Sequence, residues 1–358
     1  MGKLIAKPSL REQVETSDRL MGIAHKYRFR YAELGRERIS RFWEGGQRPR
    51  KIVISPALGL REFGANPVSG DLPGDAFTVT CREGMTLDSV GEAALFHALH
   101  NLGVRRLECH GRGADRTEAR DSTLRAMDSF PVWGQIKKIA RECGLGLGFK
   151  QGKKTVGVHS YYYYFHDDYF GEKWAVINED NAHSIRKPAG GIVDSVPDAL
   201  IIECSDARVM GKQIFEGIDI ALVSNWGNVL SEVALDAIEA LVKEGLPAVV
   251  ILGHNRCDAI YAAIEGSTEE RFEPLMRMLE ANLAGSEMNS RSLAAVRNIN
   301  SCVDMLSGDK KAKGAGSHRI RRVARMMEGR GTIAFSLYAD LSSGIIMSFP
   351  VEPNWWKD

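Results

Sequence analysis

Four consecutive segments in the second half of the chain predict a parallel α/β arrangement. They read DALIIECSDARV (198–209), IDIALVSNWGN (218–228), SEVALDAIEALVKEG (231–245) and LPAVVILGHNRCDAI (246–260). The first, second and fourth contain short apolar runs that end in turn residues, which is typical of buried strands. The third has the apolar spacing of a helix and closes at Gly245. Alternating strands and helices predict a parallel sheet with right-handed crossovers.

The first half of the chain repeats this order. Its segments are RKIVISPALG (50–59), DAFTVT (75–80), SVGEAALFHALHNLG (89–103) and VRRLECHGRG (104–113). Each half then ends in a longer extended run, at 153–165 and at 331–349. We therefore predict an internal duplication. The boundary is placed in the polar stretch 178–191, which gives repeats at 1–180 and 181–358, each a mostly parallel sheet flanked by helices.

Composition excludes several classes of protein. The chain has 358 residues, 44% of them hydrophobic, and a formal net charge of +1, so no overall charge favours nucleic acid or a membrane surface. No apolar run approaches the roughly 18 residues of a membrane span. The start, MGKLIAKPSL, is too short and too polar for a secretory core. We expect a cytoplasmic protein with scattered thiols and a small-molecule substrate, and homo-oligomerisation stays open.

Metal-binding side chains follow two of the predicted strands. Cys204 ends the run ALIIE, and His254 follows AVVILG, with Cys257 three residues later. Because α/β folds place ligands where parallel strands end, these three side chains are expected to meet. Two thiolates and one imidazole leave one position of a tetrahedral zinc ion open. Asp206 and Arg208 alternate after Cys204, so the guanidinium is expected to grip the carboxylate, which lies either on the metal or beside it.

The segments ECSDARV and GHNRC resemble the paired motifs CSDSRV and GHSxCG of the β-class carbonic anhydrases. The resemblance implies one zinc ion held by Cys204, His254 and Cys257, with Asp206 and Arg208 as the catalytic dyad. It implies hydration of carbon dioxide to bicarbonate by zinc-bound hydroxide. Whether water or Asp206 fills the fourth zinc position stays open.

The first half lacks the corresponding ligands but retains other features of that family. Pro56, Leu58, Leu60 and Gly113 stand where the second half has Cys204, Asp206, Arg208 and Cys257, and only His110 matches His254. In the family, the neighbouring subunit supplies a Gln, a Phe and a Tyr around the substrate. Gln47, Phe77 and His97 fall at those positions, whereas the second half has Ser195 at the Gln position. The resemblance thus implies a fused pseudo-dimer with one site between its halves.

Two departures from the family bear on the substrate. Asp258 replaces the usual Gly after the second Cys, and Trp226 replaces a small aliphatic residue that lines the carbon dioxide site. Trp226 is therefore a fourth candidate substrate-binding residue. Two alternatives follow, namely hydrolysis of carbonyl sulfide or carbon disulfide at the same zinc site, and a non-catalytic zinc-binding protein.

Overall fold

The computed structural model of the chain describes two sheets with flanking helices. The described residues are 7–33, 47–56, 74–82, 86–112, 131–148, 152–166, 173–178, 196–206, 208–209, 211–284, 290–309 and 317–349. Leu58, Leu60, Gly113, Ser195 and the boundary predicted after residue 178 lie outside these described residues.

The first sheet is built from the first half of the chain. Its strands are β1 (Lys51–Pro56), β2 (Ala76–Cys81), β3 (Arg106–Arg112), β4 (Gly146–Gly148), β5 (Thr155–His166) and β6 (Lys173–Asn178). The order is β2-β1-β3-β5-β4, with all neighbours parallel, and β6 pairs antiparallel with β5. Every strand predicted in this half is present, and β4 and β6 are additions that the sequence pattern did not predict.

The second sheet has the same succession of strands. It contains β7 (Ala199–Cys204), β8 (Ile220–Asn225), β9 (Ala248–His254), β10 (Ile333–Asp340) and β11 (Ile345–Phe349). Its order, β8-β7-β9-β10-β11, matches β2-β1-β3-β5-β6 of the first sheet, and only the β10–β11 pair is antiparallel. The predicted α/β class with mostly parallel sheets is confirmed.

Helices cover both sheets. They are α1 (Leu10–Glu33), α2 (Ser89–His100), α3 (Pro131–Glu142), α4 (Gly211–Ile214), α5 (Glu232–Glu244), α6 (Asp258–Glu265), α7 (Glu273–Leu283), α8 (Arg291–Leu306) and α9 (Ser317–Arg330). Helix α1 packs on the second sheet through Leu20 and Ala24, and Arg19 pairs with Asp198 at 2.5 Å. Among the described residues, no helix is both long and apolar enough to cross a membrane.

The two sheets meet along their edge strands β2 and β8. The backbone N–H of Ser224 on β8 donates to Oγ1 of Thr80 on β2 at 2.7 Å. Nearby, Asp88 caps α2 by accepting from the Gly91 N–H at 2.8 Å, and its second oxygen accepts from the Val233 N–H of α5 at 3.0 Å. One buried carboxylate therefore satisfies the amino ends of helices from both halves.

Sequence signals placed the ends of helix α5 correctly. Ser231 is its N-cap and accepts from the Ala234 N–H, and Gly245 closes it in the left-handed region at φ 100°. Helices α7 and α8 fill a stretch for which the pattern predicted no element. Their apolar sides join the core that lies against the second sheet.

Candidate metal centre and its surroundings

The three predicted ligands converge at the carboxyl edge of the second sheet. Strands β7 and β9 are parallel neighbours, so Cys204 and His254, their last residues, lie side by side. Cys257 immediately precedes helix α6. The sulfur atoms of the two cysteines are 3.8 Å apart, and the potential ligand atoms of all three residues lie within 4.8 Å of one another. All three side chains are buried.

Close packing brings His254 into place. A Cβ atom on Gly253 would lie 2.6 Å from the side chain of Ile299, so α8 can approach β9 at this point only because position 253 has no side chain. Gly253 is therefore needed for the close packing of α8 on β9, and the next residue, His254, is the candidate ligand.

The orientation of the His254 ring is fixed by its own loop. Its Nδ1 donates to the backbone carbonyl of Asn255 at 2.7 Å, which leaves Nε2 as the ligand atom. Nε2 is buried and has no hydrogen-bond partner among the described residues. Burial lowers the pKa of His254, but the nearby carboxylate of Asp206 and the thiol of Cys204 outweigh burial and raise it.

The Asn255 side chain ties this loop to the hairpin between β10 and β11. Its Nδ2 donates to Oδ1 of Asp340 at 2.6 Å, and its Oδ1 accepts from the N–H of Leu341 at 2.9 Å. Asp340 also accepts from the hydroxyls of Ser342 and Ser343. The sequence interpretation missed Asn255 and Asp340, because a contact between residues 85 positions apart leaves no local signal.

Asp206 and Arg208 form the predicted pair. Arg208 Nε and its backbone N–H each donate to Oδ1 of Asp206 at 2.9 Å, and Nη2 donates to Oδ2 at 2.5 Å. Nη2 also donates to the carbonyl of Arg256 at 2.8 Å, which links this turn to the loop between His254 and Cys257. Burial alone would raise the pKa of Asp206, but the Arg208 charge outweighs it and lowers the pKa. The carboxylate stays ionised, with Oδ2 3.8 Å from Nε2 of His254.

The first half of the chain contributes side chains to the same place. Gln47 Nε2 donates to Oδ2 of Asp258 at 2.8 Å, and Asp258 directly follows Cys257. His97 Nε2 lies 3.6 Å from the same oxygen, and the His97 ring stacks on Trp226 with centroids 4.2 Å apart. Phe77 is fully buried, 6.1 Å from the His97 ring. All four candidate substrate-binding residues therefore gather beside the loop that carries His254 and Cys257, called the metal loop below.

Two further residues near this cluster escaped the sequence interpretation. Phe272 packs edge-to-face on Trp226 at 4.7 Å, but a lone Phe in a polar stretch carries no signal for such a contact. Glu203 is fully buried behind Cys204 and accepts from the Ser224 hydroxyl at 2.8 Å. Burial raises the pKa of Glu203 to about 7. A charged residue inside an apolar strand run was a visible signal that its partner would be found nearby.

His110, which the sequence analysis matched to His254, has a different environment. His110 Nε2 lies 3.7 Å from the carboxylate of Glu108, which pairs with Lys51 at 2.8 Å. Burial would raise the pKa of Glu108, but His110 and Lys51 together lower it to about 2. Within the described part of the chain, the only group with metal-ligand geometry is Cys204, His254 and Cys257.

The donor set in the second half fits a metal ion. An unpaired, buried imidazole nitrogen faces two thiols at distances that one ion can bridge. Burial raises the pKa of the Cys204 thiol, and the adjacent Cys257 raises it further. A cation bound by the two sulfur atoms would oppose both effects and lower the pKa of the thiols, because it stabilises the thiolate forms. Fold and site thus define an α/β protein with a buried Cys-His-Cys group at the carboxyl edge of a parallel sheet.

The part of the chain that contains the candidate ligands is similar in sequence to known proteins. Residues 199–314 match the family model described as carbonic anhydrase. Carbonic anhydrase 2 of Mycobacterium tuberculosis is 35% identical over 105 residues, which cover 25% of this chain and 51% of that protein. The carbonic anhydrase of Mycolicibacterium smegmatis is 33% identical over 110 residues, covering 27% and 53%. The matched residues 199–314 include all three candidate ligands, so it is this part of the chain that is similar to carbonic anhydrases.

Solved structures give matches of the same kind. The β-carbonic anhydrase CafA of Aspergillus fumigatus is 26% identical, with a TM-score of 0.36, and the match covers 45% of this chain and 79% of that one. The chain spans about half the length of the curated relatives it matches.

Proposed function

We propose that the protein is a zinc-dependent carbonic anhydrase, with one active site per chain between the two halves. The observation that carries the proposal is the buried Cys204–His254–Cys257 group beside the Asp206–Arg208 pair. Two sulfurs and one nitrogen suit zinc, and three protein ligands are typical of a catalytic rather than a structural zinc site. A bound zinc ion would supply the Lewis acidity that makes water nucleophilic at neutral pH.

Asp206 would orient the attacking water. Its carboxylate is held by both nitrogens of the Arg208 fork, so its free lone pairs have a fixed direction. Oδ2, which lies 3.8 Å from Nε2 of His254, would accept a hydrogen bond from the water that attacks carbon dioxide. This pairing also supports an open fourth position, because a carboxylate held by arginine is not free to act as a permanent ligand.

The first half would complete the substrate site. Gln47 and His97 would present N–H groups near the loop that carries His254 and Cys257, and Phe77 would form an apolar wall together with Trp226 of the second half. Burial of Trp226 against His97 makes this region aromatic and dry. A dry wall suits carbon dioxide, which is small and carries no net charge, and equally suits carbonyl sulfide or carbon disulfide.

We further propose that the two halves, 1–180 and 181–358, are tandem repeats of one unit. Support comes from the shared strand order and from the contact of the equivalent edge strands β2 and β8. The fused pair would act as a pseudo-dimer in which the first half has lost its metal ligands. Helix α1 of the first half lies on the sheet of the second, as expected for an arm exchanged between two units.

The test is stopped-flow hydration of carbon dioxide at about pH 8.5 with protein of confirmed zinc content. The expected result is turnover that Cys257→Ser abolishes together with zinc. Asp206→Asn should retain zinc and lose most of the turnover, since an amide cannot accept in the same way. Unchanged turnover in that variant would remove Asp206 from the mechanism. If zinc-loaded protein hydrates no carbon dioxide but hydrolyses carbonyl sulfide, carbonyl sulfide is the substrate. If neither compound is turned over, the site is non-catalytic.

A further inference from the structure

We propose that Asp258 determines specificity by occupying, with its own carboxylate, the N–H donors that would otherwise bind an anionic ligand. The site would therefore bind bicarbonate and other small anions weakly and would favour neutral substrates. This inference rests on the proposed function, because it concerns the same site.

Two donors from the first half converge on a single oxygen of Asp258. Gln47 Nε2 donates to Oδ2 at 2.8 Å, and His97 Nε2 lies 3.6 Å from that oxygen. The amide of Asn101 donates to Nδ1 of His97 at 3.1 Å, so the ring proton belongs on Nε2. Both donor side chains are more than nine-tenths buried. Together they form a cradle that suits the oxygen of a carboxylate or of bicarbonate.

The cradle is filled by the protein itself. Asp258 begins helix α6 directly after Cys257, so its position is fixed by the same loop that carries the metal ligands. His97 Nε2 makes no hydrogen bond among the described residues, and the Asp258 oxygen is its nearest acidic partner at 3.6 Å. An anion that approached these donors would either have to displace the Asp258 carboxylate or be repelled by its negative charge.

Charge around the site adds to this exclusion. Asp206 lies 3.8 Å from the ligand His254 and Asp258 directly follows the ligand Cys257, so both carboxylates remain as negative charges once the two thiolates have offset the 2+ charge of a bound zinc ion. Arg208 is the nearby cation, and it is already committed to Asp206 and to a backbone carbonyl. A neutral linear molecule meets none of this repulsion and needs only the apolar wall beside the metal. Asp258 therefore discriminates by charge rather than by size.

Anion affinity tests the inference without relying on turnover. Bicarbonate and acetate would be titrated into protein loaded with cobalt(II), and binding would be followed by its visible absorption spectrum. Asp258→Gly removes the internal carboxylate and should tighten anion binding about tenfold or more, as expected when a competing like charge is removed. Asp258→Asn keeps the shape and removes the charge, and it should give a smaller gain in the same direction.

Two controls make the result specific. Glu265→Gln removes one charge from the exposed end of the same helix and should leave anion affinity within twofold of the unmodified protein. Gln47→Ala combined with Asp258→Gly should lose most of the gained affinity, because the cradle then lacks its better donor. In metal-free protein, the side-chain amide NMR signal of Gln47 should shift on Asp258→Gly.

The outcomes separate this inference from the proposed function. Equal anion affinity in the unmodified protein and in both Asp258 variants would overturn it, even if the protein hydrates carbon dioxide rapidly. A gain that persists without Gln47 would also overturn it, since the cradle would then be irrelevant. Conversely, a Gln47-dependent gain in a protein that hydrates no carbon dioxide would support the inference and refute only the proposed substrate.

Discussion

Removal of the Asn255 side chain should weaken metal binding although this side chain is not a ligand. Asn255→Ala removes two hydrogen bonds, one donated to Asp340 at 2.6 Å and one accepted from Leu341 at 2.9 Å. These bonds hold the backbone whose carbonyl accepts from Nδ1 of His254. Without them the carbonyl is free to turn away, and the imidazole loses the contact that fixes its tautomer and direction.

The size of the effect follows from these bonds. Each hydrogen bond contributes about 0.5–1.5 kcal/mol net, so the loop loses about 1–3 kcal/mol of support. Loss of an outer partner of a metal-bound histidine typically costs 10–100-fold in metal affinity, which is about 1.4–2.7 kcal/mol. The two ranges overlap, so we expect Asn255→Ala to bind zinc at least tenfold more weakly.

Competition with a chromophoric chelator measures this affinity directly. Asn300→Ala is the matched control, because Asn300 accepts from the Ser336 hydroxyl at 2.6 Å on a neighbouring element and does not touch the metal loop. Its zinc affinity should stay within twofold of the unmodified protein. If Asn255→Ala also stays within twofold, the loop carbonyl does not orient His254 and the reasoning fails.

Three further predictions concern stability and turnover. Gly227→Ala should lower the free energy of unfolding by about 1–2 kcal/mol in urea, because φ is 92° and the new methyl would lie 3.1 Å from a side chain of α6. Gly22→Ala, in an open helical position, should have no such cost. The pKa of Glu108 is about 2, below its ordinary value of 4.5, so its ionised form stabilises the fold above pH 4.5. The free energy of unfolding should therefore fall by about 3 kcal/mol between pH 4.5 and pH 2. The fall should be less steep in Glu108→Gln. Arg208→Lys should keep its metal and lose at least tenfold in turnover, since an ammonium cannot grip a carboxylate with two parallel bonds; full turnover would contradict this.

The sequence alone predicted most of the strands, their order along the chain and a candidate ligand set. Apolar runs that end at Cys204 and His254 are local patterns, and the rule that parallel strands bring their carboxyl ends together then places both residues at one edge. The Asp206–Arg208 pair was equally accessible, because its two members are separated by one residue. Each of these features depends on short-range spacing, which a single sequence records.

Only the tertiary structure decided what surrounds the candidate metal site. The contact of Gln47 with Asp258 joins positions 211 residues apart, and the bond from Asn255 to Asp340 joins positions 85 apart. The sequence placed Gln47 and Asp258 near the site separately and did not pair them. Side-chain hydrogen bonds between distant elements depend on how the sheets and helices pack, and packing leaves no periodicity in the chain. Whether the N–H donors of the first half face open space or an internal carboxylate is therefore a property of the folded protein.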